Sequence, residues 1–377
     1  MAQVIYKGKK AVFAAATKMP QGVVEIGKSL DATHTLFKKP RRSNSGQTVF
    51  FEKPVHILAG GSVVANREGE GPVGNFFDNV IADHDKEKNF EHAEIRMLKE
   101  SILHAVQKSG LLLSDIDMLL SGDLLNQITT SNYVARDLGL PYIGLYSACS
   151  TMSQALAIGG CFLNAGYFDH VACATVSHFA TAERQYRHPL EYGAQRPPYA
   201  QWTVTGAGCT VLARDVKATT GSGVRLTSAT FGKVVDMGIT DVANMGAAMA
   251  PAALDTLLAL LDDTGYRPEE FDLILTGDLG KLGSDVLREL AAEQGYALGQ
   301  NYTDCGTLIY DNTQKCYQGG SGAGCSASVF NSYILDRMQE GYYKRVAFLA
   351  TGALMSPQSC YQGESIPCIS HAVVVER

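Results

Sequence analysis

Cys149 is the residue whose type and place most suggest covalent chemistry. It follows the apolar segment 142–146 and stands in the first turn of a helical pattern running through Ala155 and Ile158. A helix dipole there favours thiolate over thiol and makes a nucleophile of the sulfur. Cysteine also serves as a small buried apolar residue, and residue type alone leaves both roles open. Two histidines are candidate bases: His178, after the apolar run 171–176, and His371, in the last apolar run. Either could instead be a hydrogen-bonded core or surface residue. A further polar set is Glu183-Arg184-Gln185-Tyr186-Arg187, followed by His188, Glu191, Tyr192 and Arg196. Guanidinium forks bind carboxylates in bidentate fashion and aromatic rings stack on flat heterocycles, so this segment could hold an aromatic acid. A solvated loop or an interface segment is the alternative.

The elements that must position these residues are legible because the chain repeats itself. Asp117-Met-Leu-Leu-Ser-Gly-Asp123 recurs 155 residues on as Asp272-Leu-Ile-Leu-Thr-Gly-Asp278, each an apolar run closed by a turn. A helical pattern precedes each run, through Ile95, Leu98, Ile102 and Ala105 in one copy and Leu254, Leu257, Leu258 and Leu261 in the other. Cys149 and Cys325 each open a later helix, and 26 residues separate each cysteine from a strand-borne threonine, Thr175 or Thr351. Alternating strands and helices, present twice, predict an α/β protein of two pseudo-symmetric halves. The expected boundaries are a basic extension at 1–42, a first repeat at 43–224 and a second at 225–377.

Composition narrows the class. Of 377 residues, 46% are apolar and 19% charged, with 38 glycines, which suits a large α/β body with many tight turns. The net charge of −6 gives no reason to expect nucleic acid as a partner. Residues 1–42 carry nine lysines and arginines against Glu25 and Asp31, a charge of about +7 that leaves about −13 on the rest. Such an arm could graze an anionic membrane or be a solvated leader. No apolar run approaches the ~20 residues of a membrane span, so a cytoplasmic-type body is expected. The nine cysteines show no C-x-x-C spacing, and neither disulfides nor a metal site is expected. The stretch 83–87 is read as a solvated turn. No Walker or dinucleotide pattern follows the glycine turns, so no cofactor is expected.

A repeat that places a cysteine where strand meets helix in each copy resembles the thiolase and ketoacyl synthase superfamily. That implies a thiolase-like fold in α-β-α-β-α layers, a homodimer, and Cys149 at the nucleophile position. The superfamily pairs its cysteine with a histidine and with a second histidine, an asparagine or a second cysteine, all from the second repeat. Here no histidine lies between His188 and His371, Thr276-Gly-Asp278 stands where ketosynthases offer histidine, and Gly319-Gly-Ser-Gly322 stands near their glycine-asparagine pair. The resemblance therefore implies a fold without the usual catalytic set.

From about Ser45 onward the chain also resembles the stage V sporulation protein AD family. The segments that carry this include Gly46-Gln-Thr-Val-Phe-Phe-Glu-Lys-Pro54, Gly122-Asp-Leu-Leu-Asn-Gln127, Ala148-Cys-Ser-Thr151, Ala180-Thr-Ala-Glu-Arg-Gln185 and Glu364-Ser-Ile-Pro-Cys368. The resemblance implies non-enzymatic binding of dipicolinic acid, with calcium as a candidate companion, for uptake into the developing spore. It also implies membrane-embedded SpoVA channel proteins as partners and a peripheral place on the inner forespore membrane. The expected ligand set is Arg136, Cys149, His178, Glu183, Arg184, Arg187, Gly320, Ser321, Cys325, Cys368 and His371, with cations and amides meeting a flat dianion. An acyltransferase using Cys149 with His178 or His371, and a scaffold docking the channel proteins, are the alternatives.

Overall fold

Each half of the chain builds the same five-stranded sheet. A computed structural model describes residues 46–82, 87–186, 196–215 and 222–377. The strands are β1 (Thr48–Ala65), β2 (Asn79–Ile81), β3 (Met118–Gly122), β4 (Tyr142–Gly144), β5 (His170–Ser177), β6 (Trp202–Thr203), β7 (Gly206–Ala213), β8 (Arg225–Thr230), β9 (Leu273–Thr276), β10 (Tyr302–Asp304), β11 (Gly320–Ser321), β12 (Arg345–Ala353) and β13 (Cys368–Glu376). The first half is ordered β4-β3-β5-β7-β1 and the second β10-β9-β12-β13-β8. In both, the apolar runs found by self-comparison, β3 and β9, pair in parallel with the long buried strands β5 and β12. The halves meet where β1 pairs with β8 in antiparallel register, Thr48 opposite Thr230.

Six longer helices, α1 (Phe90–Ser109), α2 (Thr129–Leu138), α3 (Thr151–Asn164), α4 (Phe179–Tyr186), α5 (Met245–Thr264) and α6 (Gly280–Glu293), and the shorter α7 (Ala323–Val329) pack on these sheets. Helices α3 and α7, the two cysteine-led helices, lie between the sheets: α3 touches β1 and β5 on one side and β12 and β13 on the other. Met152, Leu156, Leu163, Val329 and Phe330 fill this middle layer. Helix α1 covers the first sheet from outside, with Met97, Leu98, Ile102 and Ala105 buried. Helix α5 covers the second, with Leu257, Leu260 and Leu261 inward. The result is the expected mixed α/β fold in α-β-α-β-α layers.

One expectation needs correction. Helix α5 is long and apolar enough, by length and composition, to cross a membrane. Its apolarity has a packing reason: 61% of the window is buried, against β12, β13 and α6. A core helix wedged between a sheet and a second helix shows little polar surface, so its composition approaches that of a span.

Candidate functional site

The turn carrying Cys149 is held in place from both halves. After β4 the chain enters a 3-10 turn, Ala148–Ser150, that leads into α3. Ala148 sits at φ 48°, a left-handed conformation that costs a non-glycine residue about 1–3 kcal/mol. Two glycines leave room for this loop. A Cβ on Gly122 would lie 2.0 Å from the Leu145 carbonyl oxygen, and one on Gly352 would lie 2.1 Å from that of Ser147. Ser150 Oγ donates to the Ala350 carbonyl at 2.8 Å and accepts from the His371 main-chain N–H at 3.2 Å, tying the turn to β12 and β13.

Cys149 is 6% exposed and opens onto a cavity of about 30 Å³ walled also by Tyr146, Tyr186, Thr203, Met245 and Ser321. Among the described residues that wall carries no charged side chain. The tyrosine hydroxyls approach to 3.4 Å, and Tyr186 also donates to the Leu124 carbonyl. The thiol is a hydrogen-bond partner of the buried Asp278. Asp278 Oδ1 accepts from Thr351 Oγ1 at 2.8 Å and Oδ2 from the Gly322 N–H at 2.9 Å. Burial pushes the Asp278 carboxyl up to about 7, so near neutrality it exists in both protonation states. Gly322, at φ 102°, supplies its amide from a conformation that favours glycine.

The family model described as stage V sporulation protein AD matches residues 45–376. The chain belongs to that family. Stage V sporulation protein AD of Bacillus subtilis (strain 168) is 44% identical over 332 residues, covering 88% of this chain and 97% of the relative. Membership places the chain in sporulation. Among solved structures, cerulenin-bound OleA of Xanthomonas campestris superposes with a TM-score of 0.59 at 16% identity, over 89% of this chain and all of that one. The 3-oxoacyl-[acyl-carrier-protein] synthase III of Aquifex aeolicus VF5 gives 0.53 at 14%, over 86% of this chain and all of that one. At such identities these likenesses show the thiolase-like fold alone.

In this stage V sporulation protein AD family member the anticipated site residues separate into two groups. Cys149 and Ser321 share the cavity wall, with Gly320 beside Ser321 in the short pairing of β11 with β6. Cys325 lies deeper, its sulfur 3.4 Å from the Gly277 carbonyl and its thiol pushed well up by burial. Glu183 is buried and joined at 2.9 Å both to Thr203 Oγ1 and to Arg196, whose guanidinium lies over the Phe179 and Trp202 rings.

The remaining candidates sit outside the wall. His178 immediately precedes α4, its Nδ1 accepting from the Ala180 N–H at 3.1 Å. His371 Nδ1 accepts from the Gly232 N–H at 3.2 Å, and burial lowers its pKa to about 4, so the ring is neutral. Its contribution to the Cys149 turn comes from the main chain. Cys368 is buried in β13 with its thiol pushed up to about 12. Arg136 pairs with Asp137 at 2.7 Å on the surface, and Arg184 pairs with Glu91. Arg187 lies outside the described residues, as do the extension 1–42 and the polar positions 188, 191 and 192.

Sequence reasoning missed Asp278, Tyr146, Thr203 and Met245, while Tyr186 stood within the polar set 183–187. For Asp278 a signal existed: it closes the second repeat where Asp123 closes the first, and Asp123 is buried too. Asp123 accepts from the Leu125 and Ser131 N–H groups, and burial raises its pKa.

Proposed function

We propose that this family member captures dipicolinic acid at the Cys149 cavity during sporulation and does not condense acyl groups. The observation that carries the reading is the Cys149–Asp278 hydrogen bond. Condensation builds negative charge on sulfur and then on a neighbouring oxygen, and a condensing site meets that charge with donors. A buried carboxylate opposes it. The same group, once protonated, can donate a hydrogen bond to a ligand carboxylate, as a neutral carboxylic acid in an apolar site does. Tyr146 and Tyr186 offer flat faces to an aromatic ring, and Arg196, linked through Glu183 to Thr203, is the cation nearest in this hydrogen-bond chain.

A cavity of about 30 Å³ holds one or two waters. Binding therefore requires the wall to part, and the tyrosine pair, closed by one long hydrogen bond, is its weakest seam. Among the described residues no group of three or more histidine, cysteine or acidic side chains is placed to hold a metal. A calcium ion accompanying the ligand would rest on the ligand's own carboxylates. We also place a second copy of the chain along the outer edge of β4, the last strand of its sheet, where Ile143 is 37% exposed. The basic arm would bring the dimer to the inner forespore membrane and the SpoVA channel proteins.

Calorimetric titration with dipicolinic acid, using an isomeric pyridine dicarboxylate as control, tests the reading. Saturable, isomer-selective binding that Ala182→Leu abolishes by filling the cavity is expected, with Arg184→Ala unchanged. Absence of binding to wild type overturns it. One observation favours acyl transfer instead: Cys149 heads α3 and Asp278, near neutrality, could take its proton. An acyl-CoA-dependent mass increase lost in Cys149→Ala would establish that alternative.

A further inference from the structure

The duplicated fold provides an internal comparison at the opposite end of the sheets. Strand β12 runs nine residues from Arg345 to Ala353 at the Cys149 cavity, so its start lies roughly 25 Å away at ~3.3 Å per residue. At that far end the two halves have the same backbone. Asp117 Oδ2 accepts from the N–H groups of Asp169 and His170 at 2.8 and 2.9 Å, and Asp272 Oδ2 from those of Lys344 and Arg345 at 2.7 and 2.8 Å. The Arg214 N–H donates to the Asp169 carbonyl at 3.0 Å, and the Arg377 N–H to that of Lys344 at 2.9 Å. Position by position, Asp169 corresponds to Lys344, His170 to Arg345 and Arg214 to Arg377.

At one of these positions, however, the charge is reversed, Asp169 against Lys344. In the first half Arg214 is neutralised by Asp169 at 2.5 Å and Asp215 at 3.3 Å. In the second half the matching partner is Lys344, so Arg377 faces a cation where its counterpart faces a carboxylate. Arg225 joins them from β8, in register with Glu376. Together with Arg345 these residues line a cleft of about 350 Å³, some ten times the volume of the Cys149 cavity.

Three side-chain carboxylates share the cleft, and each has hydrogen-bond partners. Asp272 holds the two main-chain amides, Glu376 pairs with Arg345 at 2.7 Å, and Glu270 accepts from the Arg267 N–H at 2.8 Å. Arg225, Lys344 and Arg377 are left without an ion-pair partner among the described residues. Like charges held together repel unless an anion joins them, and a guanidinium fork matches an oxyanion in bidentate fashion.

We propose that this cleft binds a compact, multiply charged oxyanion of the phosphate class, free or as a headgroup, through Arg225, Lys344 and Arg377. The inference does not depend on what the Cys149 cavity binds. A structural role alone would be served by the acidic arrangement that the first half retains.

Pyrophosphate titrated into the full chain by calorimetry, and sedimentation with phosphatidylcholine vesicles with and without phosphatidic acid, test it. The key variant is Lys344→Asp, which copies the first half and gives Arg377 a partner. Loss of one charge-assisted contact weakens binding by roughly tenfold or more, and Lys344→Asp should do at least this while the thermal unfolding curve is unchanged. Arg225→Gln should weaken binding without adding a negative charge. Sensitivity to Lys344→Asp in the pyrophosphate arm assigns a free ligand, and sensitivity in the vesicle arm alone assigns a headgroup. The basic residues 1–42 can hold vesicles in every variant, so only the difference between variants counts. Binding in both arms that is absent, or equal in wild type and Lys344→Asp, overturns the proposal.

Discussion

Thr351 donates its hydroxyl to Asp278 across 2.8 Å, and with the Gly322 amide and the Cys149 thiol it completes the partners of a carboxyl shut away from solvent. The contact joins β12 of the second half to the loop after β9, against the cysteine of the first half. Replacing Thr351 by Val removes a donor to a buried carboxyl, a loss worth about 1–3 kcal/mol. Urea denaturation at neutral pH should show that loss. The counterpart Thr175, which donates to the Gly122 carbonyl at 2.7 Å, should cost less when made Val because its acceptor is uncharged.

The pH dependence of stability should carry the signature of Asp278. Its carboxyl is raised from 3.8 to about 7 on folding. Between those values the folded state binds more protons than the unfolded state, so its contribution to stability falls as pH rises through this window and is level above it. About three pKa units at ~1.4 kcal/mol each set an upper bound near 4 kcal/mol. Relative to wild type, Asp278→Asn should gain stability from pH 4.5 to pH 7.5 in parallel denaturation curves. A constant difference across that range would show that Asp278 titrates normally.

Gly352→Ala should displace the Cys149 turn, because the new methyl would lie 2.1 Å from the Ser147 carbonyl oxygen in a packed interior. Destabilisation of several kcal/mol, on the scale of overpacked core positions, is expected in thermal denaturation. Gly110→Ala is the control. Gly110 ends α1 at φ 74°, and a methyl added there would meet nothing within 4 Å, so only the backbone cost of about 1 kcal/mol applies.

The edge of β4 gives a prediction about assembly. Ile143→Lys places a charge on the strand where a second copy is proposed to pair, and sedimentation velocity should show a shift from dimer to monomer. A monomeric wild type would remove that part of the reading.

Much of the fold was legible because the duplication is local and periodic. Asp117 and Asp272 open the two matching runs, and each turned out to hold the first amides of the strand beside it. The site was less legible because its parts come from distant segments. Cys149 was recoverable from its place in the repeat and Ser321 from the resemblance of its glycine turn, whereas Tyr146 and Met245 join Tyr186 in one wall only through tertiary packing. Arg136 and Arg184 drew attention as cations, yet local carboxylates at Asp137 and Glu91 take up their charge, something sequence spacing cannot reveal for the second pair. Asp278 read as a turn residue because Thr-Gly-Asp after a strand is turn chemistry, and only burial shows otherwise. Helix α5 was misjudged for a similar reason, since its apolar length reflects contacts on more than one side.

The most direct test of the account follows the alkylation rate of Cys149 by iodoacetamide, read by peptide mass, as dipicolinic acid is added. Saturable protection of Cys149, with the rates at the half-buried Cys161 and Cys360 unchanged, is the predicted result. A Cys149 rate indifferent to saturating ligand would contradict capture at this cavity.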